Sequence, residues 1–455
     1  MKANTFLSSL MALAVSALVL TACGPEYSVL PPEPEKAEVK DANTMIIYEC
    51  NERLFAKENA FAAIEAYLPI LQEMGVNVLW LMPIYPIGED SASIGSPYCI
   101  KDFTAINPAF GTMDDLRSLV NKAHSLGMRV MLDWIANHTS WDNAWYLNHP
   151  EWYEGPSTGS EQYWKDVTFL NYNITAVRDT MQAAMLYWMD EADIDGFRCD
   201  YAEGVPLVFW ESVVTEIRNR KSDAIMLAET TDTRHYTIGF DLLYSWDFLG
   251  GISGLYSNKG TFSGLTAANT SEYNSTPKGK ERMRYVTNHD VSSGEDKDAD
   301  VSLKTRYRTP EGELSAFCLT IFMGGVPMFY SSQELGTVER IDFFQYNLMD
   351  FPKDKSQMSS YQTKMTNLLK VYLDTKHLRG ATQITGTLNR KVPYIDYADE
   401  KESMIVICNS SDKAQEVKLP MKYQEQNVTD MLTGETLTLG TTATLAPYEY
   451  RIYKH

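Results

Sequence analysis

The stretch Asp195-Gly196-Phe197-Arg198-Cys199-Asp200 places an arginine and an aspartate two residues apart at the end of an apolar run. If the run is a β-strand, both side chains lie on one face, because alternate residues of a strand share a face. At the carboxyl end of a strand in a parallel (β/α) barrel, that face opens into the substrate site. An arginine keeps a neighbouring carboxylate ionised, so Asp200 is a candidate nucleophile toward the anomeric carbon of a sugar. The alternative is a buried Asp–Arg pair that only closes the strand.

Strand-like apolar runs alternate with helical patterns on both sides of this stretch. One helix begins at a capping box, Thr112 with Asp115, and ends at Gly127. The alternation is typical of βαβ units, and 455 residues suit one barrel with a smaller module better than several small domains. The predicted strands cover residues 44–48, 76–82, 129–133, 195–200, 225–229, 241–244, 284–287 and 326–330.

Two regions break the alternation. After residue 137 the chain is rich in Trp, Tyr and Asn for longer than a usual βα loop, which predicts an inserted subdomain over about residues 139–180. Past about Arg379 the helical pattern ends, and short strand-like runs separated by turns predict a C-terminal β-sandwich over residues 379–455. Its predicted strands cover residues 404–408, 417–419, 436–439 and 448–453.

The N-terminus carries a targeting pattern. Lys2 precedes an apolar run over residues 6–20, which is too short for a transmembrane helix but fits the core of a signal peptide. The run ends in Leu20-Thr21-Ala22-Cys23-Gly24, which resembles the lipobox of bacterial lipoproteins, where the cysteine receives lipid and becomes the N-terminus. The sequence predicts a signal peptide over residues 1–22, a proline-rich tether over residues 23–42 and anchoring to a bacterial outer membrane or cell surface. The alternative is an ordinary secretory signal with an incidental cysteine.

Charge and cysteine spacing exclude several classes of function. The formal net charge of -20 argues against nucleic acid or an anionic membrane surface as a partner, since both require a basic patch. The six cysteines are scattered, without the C-x-x-C pairs of zinc or redox sites. Apart from Cys23, they are expected to be small apolar residues or thiols. The aromatic content of 12% suits sugar stacking, although core packing would also use many of these rings.

Four predicted strand ends carry charged or polar residues: residues 133–138, Arg198 with Asp200, Glu229, and residues 288–290. Their order and placement resemble the four motif regions of the α-amylase family of glycoside hydrolases. The resemblance extends from Tyr48 to residues 324–334, which are similar to the family's last barrel strand. It implies a (β/α)8 barrel over residues 43–378 with a short inserted subdomain after the third strand, followed by the C-terminal β-sandwich.

The resemblance also assigns a catalytic set of three carboxylates. Asp200 would be the nucleophile, Glu229 the general acid/base, and Asp290 the carboxylate that grips and distorts the sugar. The chemistry independently requires one ionised and one protonated carboxyl group about 5 Å apart, and their environments must therefore divide these roles. The alternative is a salt-bridge network at the barrel end, and Asp133 is expected to be mainly structural.

Four further residues would bind substrate or support the site. The resemblance implies that Tyr98 stacks under the sugar, that His138 and His289 bind its hydroxyls, and that Arg198 holds Asp200. For the two histidines the alternative is a hydrogen-bonded core residue.

The chain departs from the family near the usual calcium site. Cys99 stands where many members carry an aspartate, Glu203-Gly204 replaces Lys-His, and Phe169 occupies a place often held by a calcium-binding aspartate. Of the usual ligands only Asn137 is evident, whereas calcium needs six to eight oxygen ligands. No cofactor is expected to be required. A weak calcium site rebuilt with Asp166 and backbone carbonyls is the alternative.

The resemblance implies an enzyme that hydrolyses α-1,4-linked glucans or maltooligosaccharides with retention of configuration. The same carboxylates would also serve transglycosylation or action on α-1,6 bonds, sucrose or trehalose. An alternative of another class is a non-catalytic glycan-binding lipoprotein, which fold alone does not exclude. Any contact with a membrane is expected only through the N-terminal lipid.

Overall fold

Eight parallel strands close into a barrel in a computed structural model that describes residues 44–92, 94–154, 164–293, 303–380 and 382–455. Each strand pairs with its neighbour along the chain, and the last pairs with the first. The predicted (β/α)8 barrel is thereby confirmed. Its strands, numbered one to eight in chain order, are Ile47–Cys50, Val78–Leu81, Arg129–Trp134, Gly196–Cys199, Ile225–Ala228, Leu242–Leu243, Glu281–Arg284 and Val326–Tyr330.

Helices connect the strands. The helix Met113–Ser125 begins at the predicted capping box, in which Thr112 and Asp115 each accept a hydrogen bond from the other's backbone. Its apolar face is buried against the barrel, as the 3.6-residue period requires. The longer helices are Ala60–Glu73, Met113–Ser125, Thr175–Ala192, Leu207–Arg220, Trp246–Tyr256, Phe262–Asn274, Pro310–Phe322 and Ser360–Asp374, and the shorter ones are Ala144–Asn148, Arg234–Thr237, His289–Ser293 and Leu303–Tyr307.

Gly196 explains why the fourth strand pairs so closely with the fifth. Its φ is 152°, and a Cβ atom at this position would lie 2.0 Å from the carbonyl oxygen of Ile225. Only glycine therefore permits the approach that brings Arg198 and Asp200 beside the end of the fifth strand.

The insertion after the third strand contains a small antiparallel pair, His138–Ser140 with Val167–Phe169. The barrel helix Thr175–Ala192 follows it, so residues 175–180 of the predicted insertion belong to this helix. The hairpin lies directly after the third strand and places His138 at the barrel mouth.

The C-terminal region forms two antiparallel sheets. In the larger sheet, alternate residues of one strand face opposite ways: Met404 and Val406 join the barrel core, whereas Ile405 and Ile407 pack in a second core. The larger sheet, in spatial order, contains Thr382–Asn389, Val392–Ala398, Ser403–Cys408, Tyr450–Lys454, Asn427–Asp430 and Thr436–Thr438, and the smaller one pairs Gln415–Lys418 with Thr442–Leu445. The sequence patterns missed the strands at 382–389, 392–398, 427–430 and 442–445.

The seventh barrel strand was predicted too late, at residues 284–287 rather than Glu281–Arg284. The observed strand contains Arg282 and Arg284, which are both buried. Arg284 forms an ion pair with Glu272 on the helix Phe262–Asn274, so its charge is neutralised outside the barrel. Buried, paired charges conceal a strand from a search for apolar runs.

The predicted signal peptide, lipid-bearing Cys23 and tether lie outside the described residues. The five described cysteines are buried thiols, as expected. Among the described residues, none of the helices combines the length and the apolar composition that a membrane crossing requires.

Candidate active site

Arg198 is the centre of the barrel mouth. Its guanidinium is fully buried, and Nη1 lies 2.8 Å from Oδ1 of Asp133 and 2.9 Å from Oδ1 of Asp200. Nη2 lies 2.8 Å from Oε2 of Glu229, and Nε donates to the hydroxyl of Tyr244 at 3.1 Å. One arginine thus joins the ends of the third, fourth and fifth strands, and it lies beneath the carboxylates rather than at the opening.

The two predicted catalytic carboxylates are partly accessible above this arginine. The side chains of Asp200 and Glu229 are 14% and 18% exposed. Burial raises the pKa of Asp200 to about 6 and that of Glu229 to about 7, although Arg198 opposes both shifts. The charges of Asp200 and Asp290 raise the pKa of Glu229 further. Near neutral pH, Glu229 therefore holds a proton more readily than Asp200, which is the division that acid and nucleophile require.

His289 connects the first strand with this group. Its Nδ1 lies 2.5 Å from Oε1 of Glu49, and its Nε2 lies 2.8 Å from the hydroxyl of Tyr98 and 3.2 Å from Oδ1 of Asp290. Although burial opposes the charged form, the carboxylates of Asp290 and Glu49 raise the pKa of His289 to about 9. The side chain of Asp290 is 33% exposed, so this carboxylate borders the opening.

Tyr98 lies between His289 and the buried Asp133. Its ring stacks on the imidazole of His289 with centroids 5.2 Å apart and planes 19° apart. Its hydroxyl donates to Oδ2 of Asp133 at 3.0 Å. Asp133 is fully buried between Tyr98 and Arg198.

His138 is neutral in its surroundings. Burial lowers the pKa of His138 to about 4. Its Nδ1 lies 3.3 Å from the amide nitrogen of Asn137, and its Nε2 lies 3.2 Å from the carbonyl oxygen of Tyr98. Because the Asn137 amide can only donate, the proton of the ring is on Nε2. The structure therefore brings all seven predicted barrel-mouth residues together.

Three residues of the site were missed by the sequence patterns. Glu49 follows the predicted first strand, and a charged residue after an apolar run was the same signal that identified Glu229. Tyr201 follows Asp200, and its backbone N–H donates to Oε2 of Glu229 at 2.9 Å. Trp164 is 42% exposed, and its ring lies 5.9 Å from His138 and 5.4 Å from Tyr201. Nothing in the spacing of Trp164 indicated this contact.

The surroundings of Asn137 do not fit a calcium site. A Cβ atom at Gly204 would lie 2.5 Å from the ring of Tyr201 and 2.7 Å from Oδ1 of Asn137. Phe169 stacks on Trp164 with centroids 6.0 Å apart. The ring of Tyr201 packs at Gly204, and position 169 carries a ring without a side-chain oxygen, so neither position supplies a calcium ligand. In the part of the chain that the structure describes, no three His, Cys, Asp or Glu side chains are grouped so as to hold a metal.

Exhaustive dialysis against EGTA is expected to change kcat by less than about twofold and the melting temperature by less than about 2 °C, because neither Phe169 nor Gly204 offers a side-chain oxygen to complete a calcium site with Asn137. Activity and thermal unfolding before and after dialysis measure both. A large loss that calcium restores and magnesium does not would contradict the expectation.

The fold and the site together define a parallel (β/α)8 barrel whose mouth carries three carboxylates: Asp200 and Glu229 directly after their strands, and Asp290 in the helix His289–Ser293. Residues 61–166 match the family model described as alpha amylase, catalytic domain, and residues 396–452 match that described as maltogenic amylase, C-terminal domain. Both matched segments point to the α-amylase family of glycoside hydrolases, with an α-amylase catalytic domain followed by a maltogenic amylase C-terminal domain.

Several known proteins are similar to this chain. The alpha-amylase MalA of Haloarcula japonica is 26% identical over 432 residues, which cover 87% of this chain and 59% of that protein. An alpha-1,4-glucan:maltose-1-phosphate maltosyltransferase of Rhodospirillum rubrum is 33% identical over 236 residues, 45% of this chain and 33% of that protein. The crystal structure of a noncanonic maltogenic alpha-amylase, AmyB from Thermotoga neapolitana, is 25% identical with a TM-score of 0.76, covering 91% of this chain and 99% of that one. The chain thus spans less than two thirds of the length of these two curated relatives.

Proposed function

We propose that this protein is a retaining hydrolase of α-1,4-glucosidic bonds in starch or maltooligosaccharides. The observation that supports this most is the placement of Asp200 and Glu229 on one buried guanidinium, both partly open to solvent and with pKa values raised to about 6 and about 7. A nucleophile and an acid that differ in their readiness to ionise are the pair a double displacement needs.

The proposed reaction has two steps. In the first, a carboxylate oxygen of Asp200 bonds to the anomeric carbon while the glycosidic bond breaks, and the proton of Glu229 passes to the leaving oxygen. In the second, Glu229 takes a proton from water, the water oxygen bonds to the anomeric carbon, and Asp200 leaves as a carboxylate. Asp290 borders the opening and would hold sugar hydroxyls during both steps, while the buried His289, 3.2 Å from its Oδ1, would hold that carboxylate in place. Two inversions return the α configuration.

A second candidate is glycosyl transfer. The maltosyltransferase of Rhodospirillum rubrum is 33% identical over its matched residues, a higher identity than that of the Haloarcula alpha-amylase. The first step would be the same, and an acceptor other than water would then take the glycosyl group from Asp200. The two candidates differ only in what enters the site second.

The deciding experiment measures products from soluble starch, pullulan, maltotriose, sucrose and trehalose. We expect reducing sugars from starch and maltotriose, released first as α anomers in NMR spectra. Longer oligosaccharides without a net gain of reducing ends would instead support transfer. Initial β products would overturn the double-displacement mechanism, and no reaction with any of the five would favour a glycan-binding protein.

The dependence of kcat/KM on pH should be bell-shaped with its maximum between about 6 and 7, the pKa values of Asp200 and Glu229. As pH falls through about 6, Asp200 becomes protonated and loses its nucleophilicity; as pH rises through about 7, Glu229 loses the proton it donates. Initial rates from pH 4 to 9 at constant ionic strength, the range chosen to bracket both values, measure the profile. A plateau extending to the alkaline end would contradict the role of Glu229.

We also propose that the mature protein is a lipoprotein that begins at Cys23, anchored at the outer membrane or cell surface. The proposal is supported by the sequence pattern around Cys23 alone. The acyl chains of a lipoprotein hold more firmly than one chain would.

Cys23→Ala is expected to release the protein from the membrane fraction without changing its activity in solution, because the substitution removes the lipid and leaves the barrel unaltered. Fractionation and intact-mass measurement check the release and the missing lipid, and an assay of the soluble fraction checks the activity. An unmodified N-terminus at another residue of the wild-type protein would contradict the proposal.

A further inference from the structure

Glu49 lies in the first barrel strand, Ile47–Cys50, and none of the roles proposed above uses it. Its side chain is fully buried, and Oε1 lies 2.5 Å from Nδ1 of His289. Oε2 has no hydrogen-bond partner among the described residues, so the carboxylate is directed at His289. Burying a carboxylate is costly unless a cation compensates its charge.

A chain of hydrogen bonds from Arg198 through Asp133 and Tyr98 to His289 fixes the protonation of one ring nitrogen. Asp133 accepts at Oδ1 from Arg198 at 2.8 Å and at Oδ2 from the hydroxyl of Tyr98 at 3.0 Å. That hydroxyl has a single proton, which it gives to Asp133, so its oxygen accepts from Nε2 of His289, 2.8 Å away. Nε2 therefore carries a proton.

The other ring nitrogen of His289, Nδ1, shares a proton with Oε1 of Glu49. Two carboxylates flank the ring, with Glu49 at Nδ1 and Asp290 at 3.2 Å from Nε2. They raise the pKa of His289 to about 9, although burial and the charge of Arg198 oppose the shift. The charged groups and rings that face His289 are Glu49, Asp290, Asp133, Asp200, Arg198, Trp80, Tyr98 and Phe343.

From this geometry we infer that Glu49 is a positioning residue that keeps His289 doubly protonated while the reaction proceeds. With both nitrogens protonated, His289 donates to Glu49 on one side and toward Tyr98 and Asp290 on the other. The Tyr98 hydroxyl is then held as the donor to Asp133, the partner of Arg198. Glu49 thereby stabilises a connected line of charges from the first strand to the fourth, and the inference rests on the proposed function only for its effect on catalysis.

The test replaces Glu49 by glutamine, which keeps the size of the side chain and removes its charge. The ¹⁵N chemical shifts of the imidazole of His289 report its protonation directly, and His289→Gln identifies its signals among the seven histidines. We expect an imidazolium at pH 7.5, a pH chosen below the pKa of about 9, in the wild-type protein. In Glu49→Gln the pKa of His289 should fall by about two pH units or more, since the buried imidazolium loses its nearest carboxylate.

Kinetics then separate positioning from stability. In Glu49→Gln we expect kcat to fall about tenfold to a hundredfold, with KM changed less than about threefold, because the reacting groups lose alignment rather than affinity. Glu49→Asp retains the negative charge. It should therefore keep part of the raised pKa of His289 and part of kcat. A variant that only melts earlier, with the His289 titration unchanged, would overturn the inference, as would a neutral His289 in the wild-type protein.

The chain offers a matched control in a second carboxylate–imidazole pair. Oδ2 of Asp195 lies 2.7 Å from Nε2 of His124, at the end of the barrel opposite the site, and the hydrogen bond to Asp195 raises the pKa of His124. Asp195→Asn should lower the pKa of His124 and leave the pKa of His289 unchanged. Because the NMR measurement needs no substrate, a protein that hydrolyses no glucan but shows the expected shift in Glu49→Gln would reject the proposed function and keep the positioning pair.

Discussion

Replacing Asp200 by asparagine is expected to lower kcat on maltooligosaccharides by about 10⁴-fold or more, because an amide does not attack the anomeric carbon. The side chain keeps its size. In the wild-type protein Nη1 of Arg198 lies 2.9 Å from Oδ1 of Asp200, and the amide oxygen of the variant can still accept this hydrogen bond. The fold should therefore persist, and loss of turnover is not loss of structure. Steady-state rates together with the melting temperature measure the two separately.

Asp241→Asn is the matched control for this substitution. Asp241 is a buried aspartate that, like Asp200, lies beside an arginine: its Oδ2 is 2.6 Å from Nη2 of Arg218. It precedes the sixth barrel strand, Leu242–Leu243, at the end of the barrel away from the mouth. Charged residues at that end contribute to stability, so Asp241→Asn should lower the melting temperature and keep kcat within about threefold. If both variants lost activity equally, Asp200 would be no more than a structural ion-pair partner.

Replacing Glu229 by glutamine should slow the reaction to an extent that depends on the leaving group of the substrate. With a natural glucan, kcat should fall about 10²- to 10⁴-fold, because the leaving oxygen no longer receives a proton. An aryl α-glycoside with an acidic phenol needs little such help, so its covalent glycosyl-enzyme should form and accumulate, since the second step also lacks its base. Intact-mass measurement during the reaction detects the adduct on Asp200.

The comparison with Asp200→Asn makes this result specific. That variant has no carboxylate to hold the glycosyl group and should show no adduct with either substrate. Azide needs no base to attack the glycosyl-enzyme of Glu229→Gln and should restore turnover with an α-glycosyl azide as product. Equal losses on the glucan and on the aryl glycoside would remove the acid role from Glu229.

The barrel and the main site residues could be predicted because each depends on a local signal. The capping box at Thr112 starts a helix through contacts three residues apart, and polar residues after apolar runs mark strand ends. Arg198 and Asp200 share a face simply because they are two residues apart in a strand. Once the strands close into a barrel, these local signals converge at one mouth.

What could not be predicted depends on contacts between distant segments. Arg282 and Arg284 hid the seventh strand because their partners, Thr276 and Glu272, lie just after and on a helix that the spacing does not identify. Glu49 and His289 are 240 residues apart, and nothing in either segment indicates the other. Trp164, which precedes the second strand of the inserted hairpin, packs against His138 at the start of the first. Such pairings emerge only when the topology is known.

The close approach of Tyr201 to Gly204 has an evolutionary consequence. Any β-carbon at Gly204 would collide with the ring of Tyr201, so the two positions do not accept substitution independently. A lineage that exchanges glycine for a larger residue here must first, or simultaneously, shrink or redirect the tyrosine. The two sites are therefore epistatic, and a grafted ion-binding histidine at position 204 would fail unless Tyr201 were exchanged with it.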